Sequence, residues 1–103
     1  MILFTNSYIR PTISVAWHDE VNPQNDDQIS RSGEYMTNGK ILLHQNKTSD
    51  DGLVKTFTIV FSNLEALAEY RHDQLLQPFF RRTKQYNKSV GIERQPPKIE
   101  YIE

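Results

Sequence analysis

Residues Lys40–Glu65 read KILLHQNKTSDDGLVKTFTIVFSNLE, and the fold is decided there. Lys40–Lys47 and Leu53–Ser62 are runs rich in aliphatic, β-branched and aromatic residues, which suits strands. The intervening Thr48-Ser49-Asp50-Asp51-Gly52 is turn chemistry ending in Asp-Gly. A hairpin closing symmetrically about this loop pairs odd positions with odd positions. One face then carries Ile41, Leu43, Phe57, Ile59 and Phe61; the other carries Leu42, His44, Val54, Thr56, Thr58 and Val60, with His44 opposite Thr56. The assignment depends on the turn, because a slip of one residue exchanges the faces. Ser62-Asn63-Leu64-Glu65 then matches the S-x-x-E capping box, in which each side chain satisfies a free N–H of the first helical turn. A strand runs directly into a helix.

Toward the N-terminus, Met1–Ile9 is apolar and β-prone, with Ile2, Phe4 and Tyr8 sharing one parity. Pro11 ends this strand, because proline cannot donate to a ladder. Thr12–Val21 reads as an irregular connection. Asn22-Pro23 has the form of an N-cap followed by proline at the first helical position. Ile29, Gly33 and Met36 repeat at helical spacing, and Asn38-Gly39 is the stop. Toward the C-terminus, the helix opened at Ser62 continues as a stripe through Leu75, Phe79, Tyr86 and Val90. Pro78 splits it into two pieces and Gly91 ends it. Beyond Pro96-Pro97, Lys98-Ile99-Glu100-Tyr101-Ile102 is a last, edge strand. The order β-α-β-β-α-β over residues 1–103 predicts one ferredoxin-like α+β domain. Its usual form is a four-stranded antiparallel sheet with the helices on one face. Both faces of the hairpin carry aliphatic residues, so the face without helices predicts a partner, and a second copy in a twofold dimer is the simplest one.

Composition narrows the function classes. The 103 residues carry 12 basic and 13 acidic side chains, a net charge of −1. Nucleic-acid binding by counterion release needs a basic surplus, so that class is disfavoured. Arg81, Arg82, Lys84 and Lys88 interleave with Phe79 and Tyr86, but Phe79 and Tyr86 are two helical turns apart, so the bases read as a solvated face. There is no cysteine, which removes disulfides, thiolate metal sites and cysteine nucleophiles. His18-Asp19-Glu20 and His72-Asp73 lack metal-ligand spacing, so neither a metal nor a cofactor is expected. No apolar run approaches the roughly 18 residues of a membrane helix, and no signal segment is visible. The expectation is a soluble cytoplasmic domain.

Phe4-Thr5-Asn6-Ser7-Tyr8-Ile9-Arg10-Pro11, Ser14-Val15-Ala16-Trp17 and Ser49–Thr56 resemble blocks in short proteins from marine viruses and marine environmental sequences. That resemblance, with the order of elements, implies the dimeric α+β barrel shared with antibiotic-biosynthesis monooxygenases. In that superfamily two sheets close a barrel, and each subunit holds a pocket between helices and sheet. The resemblance implies an architecture and no catalytic residue.

An apolar pocket with a few polar groups is the expected site type. Trp17, Tyr35, Phe57, Tyr70, Phe79 and Tyr101 are its aromatic candidates, and Asn6, His44, Tyr70 and His72 its polar ones. The plain alternative is that the aromatics simply fill the core and the histidines face solvent or cap a helix. The leading expectation is a homodimer binding a small apolar molecule, fatty-acid-like or aromatic. A cofactor-independent or haem-using oxygenase and an interaction protein are the other classes; no base paired with an orienting group is legible, so enzyme activity is left open.

Overall fold

The computed structural model describes residues 1–102. In the hairpin, β2 (Ile41–Thr48) and β3 (Val54–Phe61) pair antiparallel as anticipated, but about a different centre. Ser49 N–H bonds Val54 O at 2.8 Å, and Gly52 N–H bonds Ser49 O at 2.9 Å. Gly52 takes φ +75°, the left-handed conformation that favours glycine. Asp51 Oδ1 accepts from Leu53 N and from Ser49 Oγ. The chain therefore turns around Asp51 and Gly52 rather than around Asp50, and odd residues pair with even ones. His44 lies opposite Ile59, not Thr56, and Leu43 lies opposite Val60. A bulge at Leu42 shifts the register again, so that Ile41 lies opposite Phe61 rather than opposite Ile59.

β1 (Ile2–Ile9) pairs with the other edge of β3, in a register running from Ile2 opposite Phe61 to Ile9 opposite Val54. The sheet has five strands rather than the expected four. β4 (Glu93–Arg94) pairs with Tyr8 and Ile9, and β5 (Lys98–Tyr101) pairs with Ile2–Thr5. Both occupy the same edge of β1, so the order is β2-β3-β1 followed by β4 and β5 end to end. Pro96-Pro97 breaks what would be one strand, since neither can donate to the ladder. The register differs by one residue across the break. The edge position foreseen for the last strand holds.

One face of the sheet presents Ile2, Phe4, Asn6 and Tyr8 from β1, and Lys55, Phe57, Ile59 and Phe61 from β3. This inner face carries the helices. Ile2, Phe4, Ile41, Ile59 and Phe61 form one buried cluster with Tyr35, Ala66, Leu67 and Leu76. The outer face presents Leu3, Thr5, Ser7 and Ile9 beside Val60, Thr58, Thr56 and Val54, with Leu43 beyond Val60.

The helices differ from the sequence reading in phase and start. α1 (His18–Val21) is a single turn inside the segment expected to be irregular; four residues are too few for periodicity to show. α2 (Asp26–Thr37) starts three residues after Asn22-Pro23. Its cap is Asn25, whose Oδ1 accepts from Gln28 N at 2.9 Å while Gln28 Oε1 accepts from Asn25 N at 3.0 Å. Gln28 and Tyr35 face the core, whereas Ile29 and Met36 are 57% and 47% exposed. Burying Gln28 is tolerated because its amide is satisfied twice, in the cap and by Leu75 O at 3.3 Å. Tyr35 Oη donates to Asp73 Oδ2 at 2.7 Å, and Asp73 Oδ1 accepts from Leu75 N. This carboxylate ties α2 to the link between α3 (Leu64–Arg71) and α4 (Gln77–Val90). Pro78 sits in the first turn of α4, where its missing N–H costs nothing, and Gly91 closes the helix at φ +79°.

The cap of α3 is Asn63, not Ser62: its Oδ1 accepts from Ala66 N at 2.8 Å. Asn63→Ala is expected to cost about 1 kcal/mol, and Ser62→Ala far less. Urea midpoints of the two variants check this.

Candidate functional site

The core cluster covers one end of the inner face. Toward the other end the sheet presents a different surface. Asn46, Phe57 and Asn6 stand in one cross-strand row, and Thr48, Lys55, Tyr8 and Arg94 in the next. α1 closes over this end. His18 stands edge-on to Tyr8 at 4.8 Å between ring centroids and lies 5.5 Å from Phe57; Tyr8 and Phe57 are 5.8 Å apart. Lys55 Nζ is paired with Asp19 Oδ2 at 2.7 Å, and lies 5.6 Å and 5.9 Å from the centroids of Phe57 and Trp17. Arg10 stacks on Trp17 at 4.5 Å, while its Nε and Nη1 donate to Gly52 O and Val15 O. Trp17 is thereby pinned to the hairpin turn.

Two buried polar atoms at this end, His18 Nδ1 and Asn87 Oδ1, make no well-formed hydrogen bond, although the two side chains lie close enough to interact with each other. Their residues are 5% and 6% exposed. Burial lowers the His18 pKa; the Asp19 carboxylate opposes it, Lys55 lowers it further, and the interaction with Asn87 raises it slightly, so the net shift is downward. The ring is neutral at neutral pH. Because its folded pKa lies below the unfolded value of about 6.5, the unfolded chain binds the proton more readily. The stability held by neutral His18 is therefore present above that pH and is lost as pH falls through the lowered folded pKa. The thermal midpoint is expected to drop between pH 7.5 and 5.5, and the drop to shrink in His18→Gln; scanning calorimetry of both proteins at the two pH values checks this.

The aromatic residues between the two ends are Tyr70, Phe79 and Phe80. Tyr70 lies 5.3 Å from Tyr35, 5.6 Å from Phe61 and 5.6 Å from Phe80, and Phe79 lies 5.8 Å from Phe80. Burial, with Tyr8 and Asp73 adding, pushes the Tyr70 hydroxyl up to about 12. Burial and the bond to Asp73 hold Tyr35 well above the ordinary tyrosine range. Both are neutral hydrogen-bonding groups, not bases.

Of the nine residues expected to line a site, Trp17 and Phe57 flank Lys55 at the His18 end, Tyr35 is buried in the core cluster, and Tyr70 and Phe79 belong to the aromatic row beside it. Asn6 stands on the inner face at the rim, where Arg94 donates to its Oδ1. The other three lie apart. His44 is on the inner parity but exposed, on edge strand β2. His72 is the exposed C-cap of α3. Tyr101 is exposed in β5, beside a shallow recess of about 420 Å³ with Met1, Ile2 and Asn63. Tyr8, His18, Lys55, Asn87 and Arg94 were missed. Lys55 and Tyr8 were findable, since each continues the alternation of an inward-facing run; His18 and Asn87 carry no spacing signal.

On the outer face, Gln45, Lys47, Val54, Thr56 and Thr58 line an open recess of about 720 Å³ at the hairpin end. Among the described residues, no group of three or more His, Cys, Asp or Glu is placed to hold a metal ion, and no helix is long and apolar enough to cross a membrane.

No protein-family model matches the chain, and no curated protein sequence matches it. Solved structures do. A candidate antibiotic biosynthesis monooxygenase from Deinococcus radiodurans superposes at TM-score 0.63 and 12% identity, over 100% of this chain and 93% of that one. SnoaB, a cofactor-independent oxygenase from Streptomyces nogalater, does so at 0.63 and 9% identity, over 99% and 92%. A second candidate antibiotic biosynthesis monooxygenase, from Caulobacter crescentus, gives 0.55 and 13% identity, over 98% and 87%. At such identities the likeness shows the fold: the chain has the ferredoxin-like α+β arrangement of these proteins along its whole described length.

Proposed function

We propose that the protein binds a small apolar or aromatic molecule between its helices and its sheet, as one subunit of a homodimer whose sheets pack outer face to outer face. The observation that carries the binding reading is a contrast in burial along one layer. Phe4, Phe61 and Leu76 are buried in the core, whereas Tyr8, Phe57, Tyr70, Phe79 and Phe80 in the same layer are only half-buried. Tyr70 and Phe80 pack against the core cluster, and Tyr8, Phe57 and Phe79 extend the same half-covered aromatic layer, a surface that would take an apolar ring or chain in the proposed cleft. His18 and Asn87, buried beside one another at its end, add polar groups of the kind that orient a ligand. The dimer reading rests on Leu3, Ile9, Val54, Val60 and Leu43 sharing a face that, among the described residues, no helix covers.

Titration with Nile red, a neutral dye that brightens in apolar surroundings, tests the cleft. The expected result is saturable binding at one site per chain, weakened in Phe57→Ser while the far-ultraviolet circular dichroism is retained. Absence of saturable binding to the folded protein contradicts the reading.

A second reading, an oxygenase that is cofactor-independent or uses haem, is favoured by the names of the structural neighbours. A neutral, buried imidazole beside a phenol is also compatible with moving a proton. Oxygen uptake with a quinol or with haem as substrate decides between binding alone and turnover.

A further inference from the structure

We propose that the molecule taken by this cleft carries an anionic head group, a carboxylate, and that Arg94 receives it. The inference rests on the cleft reading above and names the ligand class within it.

Arg94 is the cross-strand partner of Tyr8, so its side chain leaves the sheet on the helix side. Its Nε and Nη2 both donate to Asn6 Oδ1, at 3.2 Å and 2.9 Å. A guanidinium fork matches the two oxygens of a carboxylate; here it closes on one neutral amide oxygen, which holds it in place without neutralising it. Among the described residues no carboxylate lies within 4.0 Å of Arg94. The neighbouring inner-face cation, Lys55, shows the contrast, since Asp19 meets it at 2.7 Å. Glu93 and Glu100, the acids nearest in the sheet, have the opposite parity and belong to the outer face. The charge of Arg94 is felt at Tyr8, whose hydroxyl it favours in the ionised form against the larger, upward effect of burial.

Three kinds of donor are thus set at the rim of the cleft: the remaining guanidinium N–H groups, the Asn6 amide nitrogen and the Tyr8 hydroxyl. Each donates and none is an anion. Phe57 and Tyr70 stand behind them. Arg94 is exposed at this rim, where water solvates its charge; a carboxylate with a hydrocarbon or ring directed inward adds an ion pair to the apolar contact, whereas an alcohol uses the apolar half alone.

Displacement of bound Nile red by decanoate and by 1-decanol, at pH 7.5 on the full chain, tests this. Decanoate is expected to displace the dye about threefold to fivefold more effectively than decanol, the size of a solvent-exposed ion pair. Arg94→Gln is expected to remove that advantage and leave decanol unchanged within about twofold. Asn6→Asp gives Arg94 an internal carboxylate with little change of shape and is expected to do the same, which keeps the test open should one variant fold poorly. Equal displacement by the two ligands in the wild type, displacement by neither, or an equal loss for both in the variants overturns the anion proposal while the cleft stands. Failure of Nile red itself to bind removes the cleft reading, and the anion proposal with it.

Discussion

Phe61→Ala will lower the free energy of unfolding by about 3–5 kcal/mol, measured by urea denaturation. Phe61 is fully buried and its strand position is fixed from both sides, by Ile2 of β1 and Ile41 of β2. Its ring lies 6.4 Å from Phe4, edge-on, and 5.6 Å from Tyr70. Removing it takes away the apolar transfer term and leaves a hole that the sheet backbone cannot close. Domains of this size are stable by about 5–15 kcal/mol, so the variant loses a large share of its stability and its thermal midpoint falls by more than about ten degrees. A loss under about 1 kcal/mol would mean that this end of the layer is loosely packed, and the contrast between a filled end and an open end would fail.

Thr58→Arg is expected to convert the proposed dimer to monomers without unfolding them. Thr58 stands in the middle of the outer face, with Thr5 on one side and Gln45 on the other. In a twofold pairing of outer faces each copy would bring its own arginine into the interface. Two like charges moved out of water cost several kcal/mol, so the dissociation constant should rise by roughly a hundredfold or more. Sedimentation velocity at micromolar concentration gives the mass, and circular dichroism confirms the fold. A variant that remains dimeric would show that the outer face is not the interface.

The order of elements was legible because it rests on strong local signals: the Asp-Gly turn, the prolines at 11, 78, 96 and 97, and Gly91. The register of the hairpin was not. It depended on whether Asp50 or the Asp51–Gly52 step sits at the centre, and on the bulge at Leu42, which no pattern announces. Ile29, Gly33 and Met36 made a convincing stripe, yet α2 buries Gln28 and Tyr35 instead, because Asn25, Leu75 and Asp73 satisfy their polar atoms. Propensity and hydrophobic pattern cannot see partners so distant in the chain. The same limit applies to the site. Trp17, Phe57 and Tyr70 were found as aromatics, whereas His18, Asn87 and Arg94 acquire meaning only where α1, α4 and β4 meet β1. Charge balance and the absence of cysteine narrowed the class but named no residue.

We propose a homodimer with a ligand cleft in each subunit. Native mass spectrometry of the protein as purified, followed by gentle collisional release of bound molecules, tests it most directly. The account predicts the mass of two chains carrying a small apolar or amphiphilic adduct, released as a carboxylate in negative-ion mode. A monomer without adduct would contradict it.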